Sequence, residues 1–191
     1  MIKKTTLVFI LMLTLFSCSK QVEKQQVSTV SEKEKWQTEI EKTIKLFGHR
    51  NWIVVADAAY PKQGNPAIKT ITVDANQLEV VKFVNGLIEK SEHVNATIFV
   101  DKEMPFVPEK DAKGIETYRS NLTKLLEAKA VNTMLHEDII RELDTSAKVF
   151  DVLIIKTNLT IPYTSVFFQL GCGYWNAEAE QNLRANLNAK Q

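Results

Sequence analysis

Gly48-His49-Arg50-Asn51-Trp52-Ile53-Val54-Val55-Ala56-Asp57-Ala58-Ala59-Tyr60-Pro61 decides how this 191-residue chain is read. A polar turn carrying an imidazole runs into an unbroken apolar stretch, Trp52 to Ala56, that ends on a carboxylate. So short and uniform a run predicts a strand covered on both faces, as in a parallel sheet, because a strand with one wet face would alternate. Asp57 then stands at the carboxyl end of that strand, where open α/β sheets place their ligands. Taken alone, His49 also reads as a surface turn residue and Asp57 as a turn or cap. The site therefore has to be assembled from the rest of the chain.

Immediately upstream, Ser31 and Glu34 form a capping-box pattern, and Trp36, Ile40, Ile44 and Phe47 recur at helical spacing before Gly48 closes the helix. The chain ahead of that helix reads as an address. Met1-Ile2-Lys3-Lys4 is a short basic head, Leu7 to Phe16 is an apolar core too short to span a bilayer, and Leu15-Phe16-Ser17-Cys18 is a cleavage region. Residues 1–17 thus predict export. Ending on cysteine, the segment resembles the bacterial lipoprotein signal. That resemblance implies lipidation of Cys18 and anchoring to a membrane of the bacterial cell envelope, several acyl chains holding far better than one. The alternative is an ordinary secretory peptide with a coincidental cysteine. Residues 18–30 are polar and aperiodic, as in a flexible tether. Residues 31–191 are left for one folded domain, enough for a single core.

Charge and cysteine usage narrow the function. The full chain has 24 basic and 23 acidic residues; removing residues 1–17 takes away Lys3 and Lys4, leaving 22 against 23 and a formal charge of −1. No electrostatic basis for binding nucleic acid or an acidic partner survives. With Cys18 lipidated, Cys172 stands alone, so neither an intrachain disulfide nor a metal-thiolate cluster is expected. In Gly171-Cys172-Gly173 the thiol reads as a small buried hydrophobe. His136-Glu137-Asp138-Ile139-Ile140 begins like a zinc-protease helix but carries Ile140 where the second histidine belongs, so that motif is rejected.

Downstream of Pro61 the pattern alternates. Ile68 to Val73 reads as a strand, Asn76 to Lys90 as a helix, Val94 to Val100 as a strand, about Asp111 to Ala128 and Leu135 to Asp144 as helices, Val152 to Ile155 as a strand and Tyr163 to Leu170 as the last strand. Asn176 to Ala189 is a weakly amphipathic tail against which Trp175 is expected to pack. His93 reads as an exposed turn residue without a role, and Lys156 as a solvated lysine. Strands separated by helix-length segments predict an α/β layered fold with a mostly parallel sheet flanked by helices.

Gly48-His49, Asp57 eight positions on with Ala58 and a proline beyond, His136-Glu137 opening a helix, then Lys156-Thr157 and Pro162-Tyr163 before an apolar strand, together resemble the ribose pyranase and fucose mutarotase (RbsD/FucU) family. The likeness spans about residues 40–173. It implies an α/β fold in ring-shaped homo-oligomers, with sites at subunit contacts that interconvert anomers and ring forms of free monosaccharides without metal or organic cofactor. Carried over, it implies that His49 is the proton donor and Asp57 binds sugar hydroxyls. His136 becomes a substrate ligand, and Tyr163 begins the sugar-contacting segment that includes Ser165. Three departures stand out. Tyr-x-Asn of the family is Tyr163-Thr164-Ser165 here, Arg-Thr-Gly-Glu is Lys156-Thr157-Asn158-Leu159, and the stretch from His136 to Lys156 is several residues longer.

The chemistry is consistent with such a set. Opening a hemiacetal needs a base for the anomeric hydroxyl proton and an acid for the ring oxygen, and imidazole exchanges protons near neutral pH. An ionised Asp57 only accepts and suits hydroxyl binding, while Tyr163 can donate and stack. Two expectations from different classes result: a lipid-anchored mutarotase-like isomerase, or an envelope lipoprotein that keeps the fold and only binds a monosaccharide.

Overall fold

The computed structural model of the protein describes residues 32–189. The export signal, Cys18, the tether and the Ser31 cap lie outside the described residues. The order is α1 (Glu32–Leu46), β1 (Trp52–Ala56), β2 (Ile68–Thr72), α2 (Gln77–Glu89), β3 (Val94–Asp101), α3 (Ile115–Leu125), β4 (Val131–Met134), α4 (His136–Ser146), β5 (Val152–Lys156), β6 (Val166–Cys172) and α5 (Ala177–Asn188).

The strands make one six-stranded sheet in the order β2-β5-β1-β6-β3-β4. β1 and β2 pair with β5 in parallel and β3 pairs with β4 in parallel, whereas β6 runs antiparallel to both its neighbours. The sheet is therefore mostly parallel, as its sequence pattern predicts, with one reversed strand near the middle. That reversal follows from chain length: the nine residues 157–165 between β5 and β6 hold no helix, and a parallel return needs a crossover of about a dozen residues or more.

Period-two geometry sorts the apolar runs onto two faces. Ile53, Val55, Leu153, Ile155 and Phe168 face α1, α2 and α3 in the larger core. Trp52, Val54, Ile154 and Phe167 face α4 through Ile139, Leu143 and Ala147. Every residue of β1 is fully buried because both faces are covered, which is why the run is continuous. The indole N–H of Trp52 donates to Ser146 Oγ at 3.1 Å, tying β1 to α4.

Several local expectations change. β4 is a further strand; Val131-Asn132-Thr133-Met134 sets two polar residues between two apolar ones, is mostly exposed and pairs only with β3, so no alternation marks it. α3 begins at Ile115 rather than near Asp111, because Gly114 adopts φ 94° and the Glu109 carboxylate takes the main-chain N–H groups of Gly114 and Glu116. The end of α1 is closed without a left-handed glycine: Arg50 has the positive φ, and His93 Nε2 lies 3.1 and 3.2 Å from the carbonyls of Ile44 and Phe47. His93 is accordingly a half-buried helix cap and not an exposed turn residue. Cys172 ends β6 half exposed rather than buried, because the sheet's cover stops there. β6 starts three residues later than expected, since Tyr163 takes φ 57° in a turn where Thr164 Oγ1 donates to the Ile161 carbonyl. The Trp175 indole donates to Glu180 in α5, a helix that buries none of its own residues.

Candidate active site

Because five strands run the same way, their carboxyl ends share one edge of the sheet, and the start of the reversed β6 joins them there. This edge collects Asp57 after β1, Asp101 as the last residue of β3, His136 one residue after the Leu135 that follows β4, and Tyr163 and Ser165 just before β6. The amino ends gather the opposite set: Gly48, His49, His93, Cys172 and Tyr174 line a separate hollow of about 270 Å³.

His136 is the centre of the first group. Its Nδ1 lies 2.9 Å from Asp101 Oδ1; the carboxylate side chain is fully buried and the imidazole 30 % exposed. The main-chain N–H of His136 donates to both oxygens of Glu103 at 3.1 Å, an anion where the start of a helix favours one. Tyr60 and Tyr163 stand edge-on to the imidazole, with ring centroids 6.4 and 5.5 Å away. The Asp101 hydrogen bond raises the His136 pKa above the ordinary imidazole range against the effect of burial, and Glu103 and Asp57 add to the rise. Burial pushes the Asp101 carboxyl up, opposed first by His136 and also by the main-chain N–H of Ser165. The Tyr60 hydroxyl is pushed far up by burial and by Asp101, so it stays a phenol.

Asp57 is half buried at the strand end, where Oδ1 accepts the Ala59 N–H at 2.8 Å. It thus closes a local turn while contributing its charge to His136. Tyr163 is exposed at 39 %. Ser165 is buried, and its hydroxyl has no partner among the described residues; neither do Asp101 Oδ2 and the Tyr60 hydroxyl. Behind this edge, buried Gln77 donates to Tyr118 and to the Thr164 carbonyl and accepts from Thr157 Oγ1, which braces the turn carrying Tyr163 and Ser165.

The structure therefore brings together Asp57, His136, Tyr163 and Ser165, and leaves His49 apart. Five residues of β1 rising roughly 3.3 Å each put about 15 Å between the two sheet edges. Within the chain His49 lies exposed on the far edge and cannot meet His136. Sequence reasoning missed Tyr60, Asp101 and Glu103. Asp101 carried the same signal as Asp57, a carboxylate ending an apolar strand, and the same rule would have found it. Among the described residues no three His, Cys, Asp or Glu side chains converge as a metal-ligand set, and no helix is long and apolar enough to cross a membrane.

The sequence profile described as the RbsD / FucU transport protein family matches residues 32–173. Among solved structures, RbsD of Bacillus subtilis complexed with D-ribose is similar, at 18 % identity and a TM-score of 0.48, over 70 % of this chain and 92 % of that one. The fucose mutarotase of Streptococcus pneumoniae in complex with L-fucose aligns at 23 % identity and a TM-score of 0.46, over 78 % and 97 %. FucU from Bifidobacterium longum aligns at 15 % identity and a TM-score of 0.49, over 70 % and 94 %. No curated protein matches the sequence.

Proposed function

Because this chain belongs to the RbsD / FucU transport protein family, we propose that it is a mutarotase- or pyranase-like isomerase that exchanges anomers or ring forms of a free monosaccharide by histidine-based acid–base catalysis. The observation that supports this most directly is the His136 arrangement: a partly exposed imidazole held by a buried carboxylate and flanked by two tyrosines, with the Asp57 charge acting on it from the end of β1. These groups supply what ring opening needs, namely a proton-exchanging group, a hydroxyl acceptor and a ring for the apolar sugar face. The substrate class is that of the ribose pyranases and fucose mutarotases the chain resembles.

The site is an open shelf in one subunit, since Tyr163 is exposed and His136 partly so. A monosaccharide bound there would be left largely wet, and His49 would face the wrong edge. We propose that a second copy of the chain covers the shelf and brings its His49 to it, in a homo-oligomer whose sites lie at subunit contacts. Exchange spectroscopy by NMR on ribose, fucose and other monosaccharides is expected to show acceleration by the wild type and loss in both His49→Ala and His136→Ala. Co-assembling the two inactive variants is expected to restore a fraction of the activity, because some contacts then pair an intact His49 with an intact His136. Folded, oligomeric variants that stay inactive when mixed would sink the shared site. Binding of sugar without faster exchange would replace the isomerase with the alternative, a monosaccharide-binding accessory lipoprotein, which the Ser165 and Lys156 to Leu159 departures favour.

The proposed location is the bacterial cell envelope, through lipid on Cys18. Cys18→Ala is expected to move the protein from the membrane fraction to the soluble one without changing exchange by the purified domain. Retention of the variant on membranes would remove lipidation as the anchor.

A further inference from the structure

An acceptor-only carboxylate determines what its partner must be. Wherever Asp101 is ionised it has no proton to give, so the nitrogen 2.9 Å from its Oδ1 is then the donor and the hydrogen sits on His136 Nδ1. A neutral imidazole with Nδ1 protonated has Nε2 bare, on the opposite side of the ring from the buried carboxylate. The ring cannot turn easily away: the Glu103 carboxylate fixes the main chain at His136, and the rings of Tyr60 and Tyr163 stand against the imidazole.

We propose that Asp101 is a positioning residue that sets His136 in the Nδ1–H tautomer, making Nε2 the group that takes and returns the anomeric proton, a role beyond that of a sugar ligand. This rests on the isomerase reading of the site. In the step, the anomeric O–H bond breaks and its proton goes to Nε2; the freed pair forms the carbonyl as the bond from the anomeric carbon to the ring oxygen breaks. The ring oxygen takes a proton from His49 of a second copy, and reclosure returns both protons. The charged and titratable groups facing the imidazole are Asp101, Glu103 and Asp57 together with the phenols of Tyr60 and Tyr163. All of the charged ones are anionic and stabilise the imidazolium formed mid-reaction.

Asp101→Asn tests this on two independent readouts. Long-range nitrogen–proton NMR of the wild-type ring, recorded above the His136 titration, is expected to show Nδ1 protonated and Nε2 bare. In Asp101→Asn the His136 titration midpoint is expected to fall, and kcat for exchange to drop roughly 10²-fold, the lower end of what a positioned acid–base group supplies, with KM little changed. The acid limb of the pH–rate profile should move with the midpoint, a displacement that mere loss of packing does not produce. A wild-type ring protonated on Nε2, or a midpoint unmoved in the variant, overturns the proposal. The wild-type spectrum decides the tautomer even if the variant fails to fold. The expected tautomer and midpoint shift in a protein that accelerates no sugar would leave the dyad standing and remove the isomerase reading alone.

Discussion

His136→Gln is expected to lower monosaccharide exchange by about 10² to 10⁴, the contribution typical of one positioned acid–base group. Glutamine has similar reach and can still hydrogen-bond Asp101 through its amide, so the buried carboxylate keeps a donor and the fold should persist. What disappears is a group that can both take and release a proton near neutral pH. The loss should fall on kcat, since the substitution leaves in place Asp57 and Tyr163, the residues proposed to bind the sugar. Exchange NMR measured against sugar concentration separates the two parameters. A variant retaining more than about a tenth of the wild-type kcat would show that proton transfer runs through another group, because a positioned acid–base group typically contributes about 10²-fold or more.

Phe168→Ala is expected to cost about 3–5 kcal/mol of stability, the usual range for deleting a buried phenylalanine. Phe168 is fully buried on the reversed strand, opposite Ile53 of β1 and Ile98 of β3, and it belongs to the core beneath α1, α2 and α3. β6 joins the β2-β5-β1 half of the sheet to the β3-β4 half, so a cavity there removes contacts from both at once. Against a typical stability of about 5–15 kcal/mol, that is a large share. Urea unfolding followed by circular dichroism checks it, with Val149→Ala, a substitution at an exposed site, expected to stay within about 0.5 kcal/mol of wild type. A shift for Phe168→Ala no larger than the Val149→Ala control would mean that the two halves of the sheet do not depend on the Phe168 packing.

The two edges of the sheet show what each level of description contributes. From the sequence alone came the helix over Trp36 to Phe47, the continuously apolar strands at Trp52 to Ala56 and Val152 to Ile155, the helix opened by His136, and the mostly parallel α/β architecture. These are local quantities, set by apolar period and by the residues that start and stop an element, so they survive without knowledge of neighbours. The family resemblance, rather than these local patterns, put His49, Asp57, His136, Tyr163 and Ser165 forward as site residues. Only the tertiary structure decided that β6 runs backwards between β1 and β3, that exposed β4 exists, and that Asp101 lies buried against His136 while His49 lies across the sheet. Strand order and direction depend on pairings between segments up to a hundred or so residues apart, and no periodicity in either partner records which edge of the sheet a side chain will reach.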